Sequence, residues 1–169
     1  MSSITFPTVE QVTDLPRHLE RRVPKEYEDA NGHMNISGYL LLHNEASWPF
    51  MASLGIDASY LSERRMSLFD VEHHLRYLGE MNPDDRLAVH GRVVDRTDKL
   101  LHGMFFLLDL TKHRLANTFE FVSAHVSLDV RRTVPFPAEV AERLDVAIDS
   151  QRELAWDAPL SGALGLRRS

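Results

Sequence analysis

A chain of 169 residues with 43% hydrophobic content suits one domain built on a continuous core and is short for two. A net charge of −6 and a pI near 5.8 argue against a nucleic-acid surface, because phosphate binding needs clustered Lys and Arg. The absence of cysteine excludes a disulfide framework, a thiolate metal site and a cysteine nucleophile, and accords with a reducing cytoplasm.

The opening MSSITFPTVEQV has neither the basic nor the apolar region of a signal peptide. No apolar run nears the roughly 20 residues of a membrane span, so a soluble cytoplasmic protein with no membrane partner is expected. No repeat with a period of about 20 to 50 residues is visible, which disfavours a solenoid or propeller.

Residues 18–28 read as a first strand, with Pro24 marking an edge or a bulge. From Ser37 to Leu54 the apolar positions Tyr39, Leu40, Leu42, Ala46, Phe50 and Leu54 recur at helical spacing, and Gly55 stops the run. Pro49 lacks the amide that would bond to the carbonyl of Glu45, which predicts a kink or a break. The period then changes to two: Phe69, Val71, His73, Leu75 and Tyr77 alternate against Leu68, Asp70, Glu72, His74 and Arg76 as in a half-buried strand.

EMNPDDR at 80–86 is a turn, 87–95 a strand, DRTDK a hairpin loop, and 100–110 the next strand. TKHR leads into a last strand at 115–129, and AEVAERLDVAI at 138–148 is a second helix. This is an α+β plan in residues 1–149, a long helix across one curved antiparallel sheet; 150–169 is an extension with no assigned role. One helix cannot cover five strands, so homo-oligomerisation is the natural remedy for exposed edges.

Most catalytic signatures are absent: there is no nucleophile elbow, phosphate-binding loop, dinucleotide fingerprint or H-E-x-x-H. What remains is Asp29, four residues before His33 with Gly32 between them, just ahead of a helix whose first amides point outward. A carboxylate that attacks or activates water, beside amides that polarise a carbonyl oxygen, supplies two parts of acyl-transfer chemistry. The same residues also suit a purely structural role, with Asp29 and Asn31 in an Asx turn and Asn35 or Ser37 capping the helix.

D-A-N-G-H-M-N at 29–35, followed by G-Y-L at 38–40, resembles the D-x-x-G-H-x-N-x-x-x-Y motif of hotdog-fold acyl-CoA thioesterases, the group that includes 4-hydroxybenzoyl-CoA thioesterase. Y-L-G-E at 77–80, D-R-T-D-K-L-L-H at 95–102 and D-V-R-R-T-V-P-F-P at 129–137 extend the likeness over roughly residues 18–145. The wording is most similar to the betainyl-CoA thioesterases of carnitine and betaine catabolism.

The resemblance implies a sheet wrapped round the helix, dimers pairing sheets edge to edge, and active sites at the dimer interface. It implies hydrolysis of a short or polar acyl-CoA, betainyl-CoA being the named candidate, with no cofactor beyond the coenzyme A of the substrate. Asp29 falls at the catalytic carboxylate, nucleophile or general base. Gly32 completes the motif, Ile36, Ser37 and Gly38 would hold the thioester oxygen, and His33 and Asn35 would support and position. The chain departs from the pattern where an acidic residue is expected five positions after Tyr39: Asn44 stands there, with Glu45 next. One residue turns a side chain about 100° round a helix, so either Glu45 is a surface residue or a kink at Pro49 swings it into a catalytic position.

A betaine-type acyl group carries a quaternary ammonium, for which Trp48, Phe50, Tyr60 and Tyr77 are aromatic candidates, although Trp48 and Phe50 are equally at home in a core. Coenzyme A phosphates want cations, and the pair Arg131 and Arg132, or Arg64 and Arg65, would serve. His73 and His74 beside Glu72 do not make a metal site, because strand neighbours point to opposite faces. His73 is expected in the core or in a pocket wall. Two rivals remain: a non-catalytic acyl-CoA-binding module, and a hotdog hydratase or dehydratase, whose usual D-x-x-P-x-H motif is not found here.

Overall fold

A computed structural model describes residues 4–166, and the terminal Arg167 and Arg168 lie outside the described residues. After a short capped helix, α1 (Val9–Thr13), the chain forms β1 (Arg17–Arg22) and a 3-10 turn at Lys25–Tyr27. The first strand is therefore shorter than its 18–28 reading, because Pro24 has no amide to donate and turns the chain out of the sheet. The long helix α2 (Ile36–Ser53) is followed by α3 (Ala58–Glu63), β2 (Met66–Tyr77), β3 (Arg86–Arg96), β4 (Leu100–Asp109), β5 (Arg114–Ser127), a two-residue β6 (Arg132–Thr133) and α4 (Ala138–Arg152). The short helices α1 and α3 carry too few apolar positions to show a period.

The strands are antiparallel in the order β1-β3-β4-β5-β2, with β6 on β5, so β1 and β2 are the ends of the main path. This is the hotdog arrangement. Tyr39, Leu42, Ala46 and Phe50 of α2 pack on Leu87, Val89, Phe105, Leu107, Phe119 and Phe121 of the sheet. The helix runs unbroken through Pro49. Leu40, expected on the buried face, is exposed together with Leu41 and Trp48, so α2 carries a second apolar strip that this chain leaves open. Gly103 lies where a Cβ would come within 2.4 Å of Phe121 Cζ, which lets that ring lie flat on β4.

The apolar run of β4 is buried on both faces, which explains why it does not alternate. Phe105 and Leu107 face the helix, whereas Met104, Phe106 and Leu108 face a second core with Val12 and Leu15. The lid of this second core is the tail: Leu154, Trp156, Ala158 and Leu160 pack there, Arg92 lies 4.7 Å over the Trp156 ring, and Arg76 donates to the carbonyl of Pro159 at 2.6 Å. The buried carboxylate of Glu120 binds His102 Nε2 at 2.9 Å and accepts from the Ser161 amide at 2.7 Å. Residues 150–161 thus belong to the domain.

In β2 the expected alternation fails at one point. Asp70 pairs with Ser123 and Glu72 with Val122, so Val71 is an extra residue, a β-bulge. Before the bulge the even residue Leu68 packs on the core, and after it the odd residue Leu75 does. Phe69 and Val71, read as core-facing, point outward instead and are 66% and 49% exposed.

Candidate active site

The segment 28–38 folds into a clasp. Glu28 bridges Met34, the Asp29 amide donates to the His33 carbonyl at 2.9 Å, and the Gly32 amide returns to the Asp29 carbonyl at 3.0 Å. Gly32 sits at φ +78°, in the left-handed region that favours glycine. The Asn31 amide donates to Asp29 Oδ1 at 2.8 Å, which is an Asx turn. The side chain is held through one oxygen: Oδ1 fixes the turn, while Oδ2 has no partner among the described residues.

The clasp is bolted to the segment 77–82. His33 Nε2 lies 3.0 Å from Glu80, Met34 donates to the Met81 carbonyl at 2.7 Å, and Asn82 Nδ2 reaches the Gly32 carbonyl at 3.3 Å. Tyr39 donates its hydroxyl to the Gly79 carbonyl at 3.0 Å, and Tyr77 packs edge-on against the Tyr39 ring. Gly38 is needed because a Cβ there would lie 2.8 Å from Met34 and 2.9 Å from Tyr27. His33 and Asn35 therefore both contribute contacts that hold the clasp and its helix together.

Asn35 caps α2, its Oδ1 accepting from the Ser37 amide at 2.9 Å and the Ser37 hydroxyl at 2.7 Å, while the Gly38 amide donates to the Asn35 carbonyl at 2.9 Å. Ser37 and Gly38, expected to hold a thioester oxygen, thus have their amides engaged within the cap. The Ile36 amide takes no partner among the described residues, and Ile36 is exposed. An open carboxylate oxygen and an open amide at the positive end of a helix can respectively activate water and polarise a carbonyl.

A cavity of about 460 Å³ opens between α2 and β2, walled by Asn44, Trp48, Asp70 and His73, with Phe119 and Phe121 below. It answers the question posed by Asn44 and Glu45. Asn44 lines the cavity; Glu45 points the other way and pairs with Arg21 of β1 at 2.7 Å. The expectation of a catalytic Glu45 is corrected accordingly, since the helix keeps its phase through Pro49 and turns that carboxylate to the surface. A larger depression of about 890 Å³ beside the 95–100 hairpin is walled mainly by charged and polar side chains, including the Arg96–Asp145 pair at 2.5 Å, and offers little apolar floor.

Other expected ligand contacts lie elsewhere. Tyr77 stands against Tyr39, outside the cavity, and Tyr60 is buried with its hydroxyl 2.6 Å from His125 Nε2. Arg131, in the β5–β6 turn, and Arg132, at the start of β6, are exposed and do not line the cavity; Arg64 and Arg65 pair with Glu139 and Asp129. Among the described residues no group of three metal-ligating side chains exists.

Two residues that the sequence reading passed over line the cavity. His43 is fully buried, stacked between Phe105 and Phe119, with its pKa pushed down to about 4 chiefly by burial. Its position four residues after Tyr39, on the buried helical face, was the available signal. Asp70 faces the cavity in phase with Leu68, and the bulge after it turns His73 to the same face; the Asp70 carboxylate accepts from Ser123 Oγ at 2.5 Å and lies 3.1 Å from His73 Nε2.

A family model described as the thioesterase-like superfamily matches residues 23–144. A betainyl-CoA thioesterase of Pseudomonas aeruginosa is 31% identical over 147 residues, covering 87% of this chain and 92% of that protein. An L-carnitine dehydrogenase/betainyl-CoA thioesterase of Rhizobium meliloti is 29% identical across 85% of this chain, which spans only 28% of that longer protein. The structure of SAV2348 from Staphylococcus aureus, solved in complex with CoA, superposes with a TM-score of 0.79 at 23% identity, covering 90% of this chain and 97% of that one.

Proposed function

This chain belongs to the thioesterase-like superfamily, and on that premise we propose that it hydrolyses an acyl-CoA thioester with Asp29 as the reacting carboxylate and the α2–β2 cavity as the acyl pocket. The observation that carries the reading is the clasp, which fixes Asp29 through one oxygen, leaves the other open, and leads into a helix whose first amide, that of Ile36, is also open among the described residues. The thioester carbonyl takes a hydrogen bond from that amide as negative charge gathers on its oxygen. Asp29 either accepts the proton of an attacking water or itself attacks the acyl carbon, with water cleaving the resulting anhydride. In both routes the C–S bond breaks, the thiol of coenzyme A leaves protonated, and the free acid remains.

Ile36 and Asn44 are eight residues apart, about 12 Å along α2, further than a short acyl group spans. We therefore place the complete site between two copies paired across the exposed edge of β2, where the clasp of one protomer faces the cavity of the other. The outward Phe69 and Val71 and the open strip of Leu40, Leu41 and Trp48 support that pairing, since a second copy would cover them. The cationic Arg131 and Arg132 remain candidates for the phosphates at the mouth of such a site. The Pseudomonas aeruginosa relative favours a betainyl-type acyl group, and a coenzyme A reaction in a chain without cysteine fits the cytoplasm.

Thiol release from betainyl-, carnityl-, acetyl-, 4-hydroxybenzoyl- and medium-chain acyl-CoA tests the proposal. Selective turnover of a small polar member supports it. Binding of the whole panel without turnover would instead identify a non-catalytic binding module.

A further inference from the structure

A fault in the strand puts Asp70 and His73 on one face, toward the cavity. In a regular β2 Asp70 would lie opposite in phase to His73, three residues on, and the two side chains would face away from each other. The bulge at Val71 adds one residue and brings both to the inner face, where the carboxylate is held between Ser123 Oγ at 2.5 Å and His73 Nε2 at 3.1 Å. Asp70 is the one carboxylate among the described residues that line the cavity, and Asn44 presents an uncharged amide from the helix.

Both oxygens of this carboxylate already have polar neighbours from the protein. These contacts hold the carboxylate in place at the cavity wall, where its side chain remains half exposed to a ligand. A cation without any donor is attracted by that charge alone and packs through its methyl groups. The rest of the cavity suits such a group: Trp48, half exposed on α2, stands at the mouth, while Phe119 and Phe121 form the floor, and aromatic faces attract alkylammonium groups.

We propose that Asp70 is the specificity-determining residue of this cavity, supplying the counter-charge that selects an acyl group carrying a quaternary ammonium. The inference rests on the reading of the α2–β2 cavity as an acyl pocket.

The test compares betainyl-CoA with 3,3-dimethylbutyryl-CoA, in which a tert-butyl group replaces the trimethylammonium at nearly equal shape. Wild type prefers the cation in kcat/KM by at least about 30-fold; Asp70→Asn lowers that ratio at least about tenfold. Asp70→Glu, which keeps the charge, restores much of the preference. Binding of the two corresponding thioethers, with a methylene in place of the carbonyl, is measured by calorimetry on the same proteins. If the esters are not cleaved but the cationic thioether is preferred and Asp70→Asn abolishes that preference, the thioesterase reading fails and the assignment of Asp70 stands. A preference that survives Asp70→Asn in both assays, or a wild type that does not distinguish cation from isostere, overturns the assignment.

Discussion

His43 Nε2 lies 2.5 Å from Asn117 Oδ1, and the tautomer follows from the next bond in the chain: Asn117 Nδ2 donates to the Arg76 carbonyl at 2.9 Å, so its oxygen faces the ring and Nε2 must carry the proton. His43 Nδ1 is then a bare acceptor, buried and without a partner among the described residues. Neutral imidazole is the only form this site tolerates, because burial outweighs the favourable bond to Asn117 and holds the pKa near 4.

A histidine whose folded pKa is depressed contributes stability that is complete above its unfolded value near 6.5 and is lost as pH falls toward about 4, since the unfolded chain takes up the proton first. For His43 the loss is of order 3 kcal/mol. His18, His90 and His125, each depressed chiefly by burial, add to the slope in the same direction. Urea unfolding between pH 7 and 4 is expected to show a steep fall, and His43→Gln to make it shallower by about one proton. An unchanged slope in the variant would mean that His43 titrates as freely as in the unfolded chain.

The opposite faces of Asn44 and Glu45 make a second expectation. Glu45→Ala removes only a half-exposed ion pair with Arg21, so stability changes by less than about 1 kcal/mol and thiol release stays within about twofold. Asn44→Asp puts a second carboxylate in the cavity and shifts the ranking of acyl groups without removing activity. Steady-state kinetics on both variants check the assignment; loss of turnover in Glu45→Ala would place that carboxylate at the chemistry after all.

Much of this was legible in the chain itself. The helical period of Tyr39, Leu42, Ala46 and Phe50 and the turn residues of the hairpins gave the α+β plan, because each element buries one regular face. The clasp from Asp29 to Gly38 was legible because its turn chemistry is local. The inner position of Asp70 was not: a bulge is created by pairing with β5, and nothing in residues 66–77 announces which residue goes unpaired. The tail was equally opaque, since Trp156 has no period and its partners, Phe106 and Arg92, lie at least 50 residues away.

That tail supplies a third expectation. Trp156 packs edge-on to Phe106 at 5.5 Å and under Arg92, whose guanidinium also donates to the Trp156 and Gln151 carbonyls. Trp156→Ala uncovers the outer core and should cost about 2–3 kcal/mol in denaturant unfolding. Trp156→Phe keeps a ring and removes the buried indole N–H, which has no partner among the described residues, so its cost should stay near or below about 1 kcal/mol. Equal effects of the two substitutions would contradict packing as the role of this side chain.

The central claim is that Asp29 Oδ2, left open by the Asx turn, does the chemistry. Asp29→Asn keeps an oxygen that can accept from the Asn31 amide, so the clasp should fold as before, checked by circular dichroism and unfolding. The deciding measurement is single-turnover thiol release from the best acyl-CoA of the panel by wild type and Asp29→Asn. A fall of at least about 100-fold in the folded variant is the predicted result. A rate within about threefold of wild type would contradict the account and move the reaction away from this carboxylate.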